Sequence, residues 1–178
     1  NILAASTVQP NVVISHAHRD HYGHIATVLG GTQTAHIWLG GDPTAYTFDG
    51  FPTWIAGQRT GKATVHENMA AGFHNDAQPL GQNLSCGLAS AFVLTANNGG
   101  SANAQSLVLM LEYGEFTAIL PGDAEGVTES SAINNFDNNL KATLLAGSHH
   151  GSNSNGSNGT AWITATAPDI AVFSAGQG

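Results

Sequence analysis

Charged side chains are scarce in this sequence. Only 9% of its 178 residues are Asp, Glu, Lys or Arg, against roughly a quarter in an average globular protein. The formal net charge is −8 at pH 7, and only Arg19, Arg59, Lys62 and Lys141 are basic. Tight binding to nucleic acid depends on several Lys or Arg contacts to phosphates. Four scattered cations argue against long DNA or RNA as a partner.

Cysteine and long apolar runs are also lacking. Cys86 is the only cysteine, so no internal disulfide can form, and its apolar neighbours predict a buried thiol. No apolar run reaches the roughly 18 residues that a transmembrane helix needs, so we expect no membrane span. The remaining polarity comes from uncharged Asn, Ser, Thr and Gly. A neutral polar surface of this kind favours an extracellular or periplasmic location.

The length of the chain fits one domain over residues 1–178. Hydrophobic residues make up 42% of the sequence, which is enough for a core. The chain opens on Asn1 and stops at Gly178 directly after a strand-like run, so we expect a domain shortened at both ends. The sequence does not indicate an oligomeric state.

Short apolar runs alternate with amphipathic stretches, which predicts a layered α/β architecture. A hairpin turn is predicted at Gly114-Glu115, and a helical turn with Asp42 as its N-cap is predicted over 42–48. The segment 50–82 is rich in Gly, Pro and Asn and predicts a mixture of short strands and loops. The other predicted strands are 11–15, 36–39, 91–95, 106–113, 116–120, 142–146 and 169–173, and the predicted helices are 22–29, 126–136 and 159–165.

A dense cluster of metal-ligating residues follows the first predicted strand. His16, His18, Asp20 and His21 lie within six positions. Neutral imidazole is a good ligand for zinc and related transition metals, and Asp adds an oxygen ligand. His16 and His18 can face one way from an extended turn, whereas Asp20 and His21 follow on a tightening turn. The spacing therefore indicates that one loop contributes ligands to two metal ions.

Two further polar clusters follow apolar strands. Asp123 comes after Gly122 at the end of strand 116–120, where its two oxygens could bridge two cations, although an Asp after Gly is more often a turn residue or an N-cap. His149 and His150 follow strand 142–146. Adjacent histidines cannot both face one metal comfortably, so one is predicted as a ligand and the other as a supporting or substrate contact. Sites in layered α/β proteins collect at strand ends.

The stretch His16-Ala17-His18-Arg19-Asp20-His21 matches the HxHxDH signature of the metallo-β-lactamase superfamily. Asn103, Ser106, Asp123 and Glu125, the HHGS stretch 149–152 and the closing segment 168–176 resemble one branch in particular. That branch contains the ComEC-like metallo-hydrolase domains and is similar to secreted phosphorylcholine esterase-type phosphodiesterases. The resemblance runs from about Val12 to Gly176, nearly the whole chain.

The resemblance implies a four-layer αβ/βα fold, in which two packed mixed β-sheets are flanked by helices, here lacking its first strands. It also implies a role for each motif residue. His16 and His18 would bind the first metal; Asp20, His21 and His150 the second; Asp123 would bridge them; and His149 would contact the substrate phosphate or support the ligands. Many members have one more histidine ligand before the Gly-Asp strand, and His66 and His74 are the candidates here.

The implied activity is that of a binuclear hydrolase with two divalent cations, zinc in the first place and manganese or iron as alternatives. Such a pair lowers the pKa of a shared water and supplies hydroxide, while Asp20 steers the water and His149 helps to stabilise the developing oxyanion. The branch points to phosphodiesters, and the acidic chain favours a small or short one. A β-lactamase or lactonase is the second interpretation, although the HHGS ending speaks against it. A catalytically inactive metal-binding module is the third.

Overall fold

The computed structural model describes residues 9–48, 50–74 and 89–175; the prediction for Cys86 lies outside them. Among these residues the chain forms a parallel three-stranded sheet and a mixed five-stranded sheet. The first sheet has the order β1 (Val12–Ile14), β2 (His36–Leu39) and β3 (Thr64–His66). The second has the order β4 (Ala89–Thr95), β5 (Val108–Tyr113), β6 (Phe116–Leu120), β7 (Leu144–Ala146) and β8 (Ile170–Val172).

In the second sheet, β4, β5 and β6 pair antiparallel, whereas β6, β7 and β8 pair parallel. The predicted hairpin is present, because Tyr113 pairs with Phe116 across the turn at Gly114-Glu115. Crossover segments with helices join the parallel strands, as parallel pairing requires. The helices are α1 (Arg19–Tyr22), α2 (Ile25–Leu29), α3 (Phe51–Thr60), α4 (Gly126–Phe136) and α5 (Thr160–Thr166).

Two local predictions concern the segment between β1 and α3. The helix predicted over 22–29 is instead two short helices, α1 and α2, which are separated at Gly23 and His24. The capped turn is confirmed: the 3-10 turn Pro43–Ala45 follows Asp42, whose side chain accepts a hydrogen bond from the Thr44 N–H at 2.8 Å.

The prediction of short strands and loops was wrong for residues 51–60, which form the ten-residue helix α3. Its buried residues Phe51, Trp54, Ile55 and Gln58 recur at the i, i+3, i+4, i+7 spacing of one helix face. Pro52 lies in the first turn, where its missing N–H would have no helical partner in any case. The helical periodicity was therefore present, but the Gly and Pro content of the wider segment obscured it.

Three apolar clusters separate four layers of secondary structure. Trp38 packs with Val93 and Leu107 between the two sheets. On the opposite face of β2, Ile37 and Leu39 pack with α3, since successive strand residues point to opposite faces. The outer face of the second sheet packs with Ala132 of α4 and with Trp162 of α5. The order helix, sheet, sheet, helix agrees with the predicted four-layer architecture.

None of the helices in the described part of the chain is long and apolar enough to cross a bilayer.

The segments that follow β1, β6 and β7 meet at one edge of the two sheets. The Leu107 N–H donates to the Ser15 carbonyl at 2.8 Å, which joins the end of β1 to the start of β5. The His149 N–H donates to the Gly122 carbonyl at 3.0 Å, which joins the segments after β7 and β6. The Asp123 N–H donates to the hydroxyl of Ser106, the residue before Leu107. These hydrogen bonds bring the three predicted polar clusters together.

Candidate metal centre

The first loop changes from strand to helix within a few residues. β1 ends at Ile14, His16 is fully buried, and α1 begins at Arg19. The His21 N–H donates to the His18 carbonyl at 3.0 Å and closes the turn. This change of conformation places Asp20 and His21 on α1, apart from the two histidines that precede the helix.

The second loop depends on a glycine. Gly122 has φ +60°, and a Cβ at this position would lie 2.5 Å from the Ser15 Cβ, far inside normal contact. Glycine is therefore required both by the left-handed backbone and by the close approach of β1. The next residue, Asp123, is 3% exposed and donates its N–H to Ser106 Oγ at 3.2 Å.

The third loop is a compact turn with left-handed residues. His149 and His150 have φ values of 50° and 58°, which are uncommon for residues other than glycine. This backbone separates the two adjacent rings, whose centroids are 6.4 Å apart. His150 Nε2 lies 3.1 Å from Asp20 Oδ2, while its Nδ1 lies 2.9 Å from Ser174 Oγ.

The three loops bring six predicted ligands into two groups. One group is His16, His18 and Asp123, and the other is Asp20, His21 and His150. Within each group the ligand atoms all lie within 4.8 Å of one another. The resemblance had also placed His16 and His18 apart from Asp20, His21 and His150, with Asp123 as a bridge. The second group is built from α1 and the turn after β7.

Asp123 lies between the two groups. Its Oδ1 is 3.1 Å from His21 Nε2 and 3.5 Å from His150 Nε2, both in the second group. Its Oδ2 is 3.7 Å from His16 Nε2, in the first group. Each carboxylate oxygen thus faces a different group, which is the arrangement that a bridging ligand needs.

The donor atoms fit divalent transition-metal ions. The Nε2 atoms of His16 and His21 are buried, and neither is oriented for a hydrogen bond to a described residue, although Asp123 Oδ1 lies 3.1 Å from His21 Nε2. Burial of an imidazole nitrogen without a partner is costly, and a metal ion offers these atoms the partner they lack. Mixed nitrogen and oxygen ligands suit zinc, manganese or iron, so the residues present fit the pair of ions implied by the motifs.

Burial and neighbouring charge set the protonation of the cluster. Burial, together with the neighbouring His21, lowers the pKa of His16 to about 3, so this imidazole is neutral. Burial opposes protonation of His21, but the carboxylates of Asp123 and Asp20 outweigh it and raise the pKa of His21. Burial likewise opposes ionisation of Asp123, yet His21, His16 and His150 together lower the pKa of Asp123.

His149 belongs to neither group of ligands. Its Nε2 lies 3.9 Å from Asp123 Oδ2 and accepts a hydrogen bond from the Asn103 amide at 3.4 Å. His149 Nδ1 and Asn103 Oδ1 are both buried without a hydrogen-bond partner among the described residues. Sequence reasoning gave Asn103 no role, and its only signal was its place with Ser106 among the residues that resemble the ComEC-like branch.

The two additional histidine candidates lie outside both groups. His66 Nε2 is 3.0 Å from His36 Nδ1, and its ring stacks on Trp38 with centroids 4.5 Å apart. His74 lies against Phe136 instead, with ring centroids 5.9 Å apart. In the described structure, neither histidine extends the first group of ligands.

A cleft of about 900 Å³ opens beside the second group. Asp20, His21 and His150 line it together with Ser174 and Ala175, which follow β8. None of these lining residues is Lys or Arg. The cleft therefore gives a small ligand access to the second group of ligands.

The four layers, with the two groups of predicted ligands at the strand ends, have the architecture of a metallo-β-lactamase fold. The structure is similar to that of a mutant of the CmlA β-hydroxylase, with a TM-score of 0.54. The similarity covers 96% of this chain and 37% of that chain, at 13% sequence identity. A likeness at this identity concerns the fold alone.

Among curated proteins, the chain matches ComE operon protein 3 of Bacillus subtilis (strain 168), with 42% identity over 82 residues. The match covers 46% of this chain and 10% of that protein. No family model matches the sequence. The structural likeness shows the fold, and the match to ComE operon protein 3 covers part of each chain. Membership of the ComEC-like branch is a proposal.

Proposed function

We propose that this chain is a binuclear metal-dependent hydrolase whose substrate is a small or short phosphodiester. The proposal is carried by Asp123, whose two carboxylate oxygens face the two separate groups of ligands. A pair of divalent cations held there, zinc or alternatively manganese or iron, would supply Lewis acidity and an activated hydroxide.

Asp20 and His149 are the residues proposed to act beside the ions. The Asp20 side chain is 60% exposed and lines the cleft, so its carboxylate is placed to orient an attacking water and to accept its proton. His149 Nε2 lies 3.9 Å from Asp123 Oδ2. The Nδ1–H of His149 has no hydrogen-bond partner among the described residues, and we propose that it donates to a phosphoryl oxygen as negative charge develops. Asn103 holds this imidazole through its amide.

The charge of the chain supports the proposed substrate class. A cleft without Lys or Arg among its lining residues offers no extended contacts to a polyanionic backbone. A single phosphodiester can be bound by the metal ions and the nearby imidazoles without such contacts. The same neutral polar composition supports the proposal that the protein works outside the cytoplasm, in the periplasm or the extracellular space.

Hydrolysis of two chromogenic substrates tests the proposed reaction. The chain is loaded with zinc, manganese or iron and assayed with bis-p-nitrophenyl phosphate and with nitrocefin. We expect turnover of the phosphodiester only. Turnover of nitrocefin only would support a lactamase or lactonase instead, and metal binding without turnover of either substrate would support a non-catalytic module.

Substitution of ligands tests the site. His18→Ala and Asp123→Ala should each lower hydrolysis at least about a hundredfold, because a metal-activated nucleophile supplies much of the rate, and should lower the bound metal measured by atomic spectroscopy. His24→Ala is the matched control, since His24 is exposed and lies outside both groups. Wild-type activity in a metal-depleted Asp123→Ala variant would contradict the proposal.

A further inference from the structure

One serine hydroxyl lies between histidines of the two groups of ligands. Ser15 Oγ is 3.1 Å from His16 Nδ1 and also 3.1 Å from His21 Nδ1. His16 belongs to the first group and His21 to the second. The two rings are close neighbours, with centroids 4.2 Å apart, so a single oxygen contacts one ligand of each group on the side away from Asp123.

The backbone fixes the position of this serine. Ser15 follows β1 directly, and its carbonyl accepts a hydrogen bond from the Leu107 N–H at 2.8 Å. On the side of β6, Gly122 approaches so closely that even a methyl group there would clash with the Ser15 side chain. The hydroxyl therefore occupies a narrow place between β1 and the loop that carries Asp123.

The inventory of donors and acceptors determines how the hydroxyl is used. A serine hydroxyl has one proton and two acceptor lone pairs, and a neutral imidazole carries its proton on only one nitrogen. If Ser15 donated to either Nδ1, the proton of that ring would lie on Nε2, the nitrogen that faces Asp123, and this nitrogen would have no lone pair for a metal ion. If both Nδ1–H groups donate to Ser15 Oγ, both Nε2 lone pairs are free for metal ions.

We infer that Ser15 is a positioning residue that fixes the Nδ1–H tautomer of His16 and His21 together and thereby prepares both groups for metal binding. The inference rests on the two-ion centre proposed above. A residue that supports one ligand would affect one ion. Removal of the Ser15 hydroxyl should instead weaken the binding of both ions. Ser106 Oγ lies farther from His16 Nδ1, at 3.4 Å, and already accepts the Asp123 N–H.

Ser174 provides a matched comparison. Its Oγ lies 2.9 Å from His150 Nδ1, and His150 is a ligand of the second group only. Partners of this kind, which hydrogen-bond the second nitrogen of a ligand histidine, contribute roughly tenfold to a hundredfold to metal affinity. Ser15→Ala and Ser174→Ala each remove one hydroxyl oxygen. The oxygen of Ser15 contacts one ligand in each group, whereas that of Ser174 contacts a ligand of the second group.

Zinc titration of the whole chain, with a competing chelator, tests the inference without any substrate. Each serine variant is measured in a His18→Ala background, which retains the second group, and in a His150→Ala background, which retains the first. We expect Ser15→Ala to weaken zinc binding at least about tenfold in both backgrounds, Ser174→Ala only in the His18→Ala background, and Ser15→Thr to restore most of the loss.

Nitrogen NMR of the imidazole rings gives a second measurement on the metal-free chain. The wild type should show the Nδ1–H tautomer for the neutral ring of His16, and Ser15→Ala should show a mixture of tautomers at this ring. Unchanged tautomers and zinc affinities in Ser15→Ala would overturn the inference while the two-ion centre stands. Failure of the wild-type chain to bind zinc would overturn the inference and the proposed function together.

Discussion

At the scale of single residues, Gly122 shows how closely the metal centre is packed. Its φ of +60° and its contact with Ser15 leave no space for a side chain. Gly122→Ala should lower the free energy of unfolding by about 1–3 kcal/mol through backbone strain and overpacking, as measured by urea denaturation, and should also reduce zinc affinity by moving Asp123.

Gly100→Ala is the control for this substitution. A Cβ at Gly100 would have open space around it, and its φ lies outside the left-handed region. The control should therefore change stability by only a few tenths of a kcal/mol. Equal stability of Gly122→Ala and Gly100→Ala would contradict the close packing of Gly122 against Ser15.

Substitution of the adjacent residues His149 and His150 should affect zinc content and activity differently. His150 lies in the second group of ligands, whereas His149 lies in neither group and contacts Asn103. His150→Ala should therefore lower the zinc content toward one ion per chain, as measured by atomic spectroscopy. His149→Ala should retain the zinc and lower kcat for the phosphodiester. Loss of zinc in His149→Ala with full retention in His150→Ala would reverse the assignment.

Residue chemistry made the candidate ligands recognisable in the sequence, whereas the residues that contact those ligands could not be predicted. His16, His18, Asp20 and His21 lie together in the chain, so their types and spacing alone indicate a metal site. The contact between Asn103 and His149 joins residues 46 positions apart. Such contacts depend on how loops from different strands meet, which local spacing does not determine.

At the scale of the elements, α4 anchors the turn that carries His149 and His150. Glu129 on α4 is 2% exposed, and its carboxylate accepts hydrogen bonds from the Ser148 hydroxyl, the Asn158 N–H and the Gly159 N–H. All three donors belong to the segment after β7. One carboxylate of α4 thus holds both ends of the loop that contains the third motif.

Glu129→Gln tests this anchor, because it keeps the shape and replaces one acceptor with a donor. The substitution should lower the free energy of unfolding by about 1–3 kcal/mol, since a buried N–H then faces the donors that the carboxylate had accepted. It should also weaken zinc binding at the second group. Glu115→Gln in the exposed hairpin turn is the control, and equal melting temperatures for the two variants would contradict the anchoring role.

Elements with one strong periodicity were predictable, and mixed segments were not. The segment 126–136 has the predicted bounds of α4, and the apolar run 116–120 has those of β6. In contrast, α3 contains Pro52 and Gly57 and lies in a segment rich in turn-forming residues. Packing of its buried face against the first sheet stabilises α3. The helix propensities of its residues do not include this contribution, so they did not predict the helix.

At the scale of the whole molecule, the net charge of −8 should keep long polyanions away from the cleft. Hydrolysis of bis-p-nitrophenyl phosphate at low ionic strength should therefore be unaffected by long duplex DNA added at a tenfold excess of phosphate. Competition that weakens steeply with added salt would indicate phosphate contacts, and it would contradict the proposed preference for small or short substrates.

Two groups of side chains, joined by Asp123, are proposed to hold two metal ions. A crystal structure of the zinc-loaded chain, with anomalous data collected at the zinc edge, tests it most directly. We expect two anomalous peaks roughly 3.5–4 Å apart, one among His16, His18 and Asp123 and the other among Asp20, His21 and His150. A single peak outside these groups, or zinc bound at His36 and His66 instead, would contradict it.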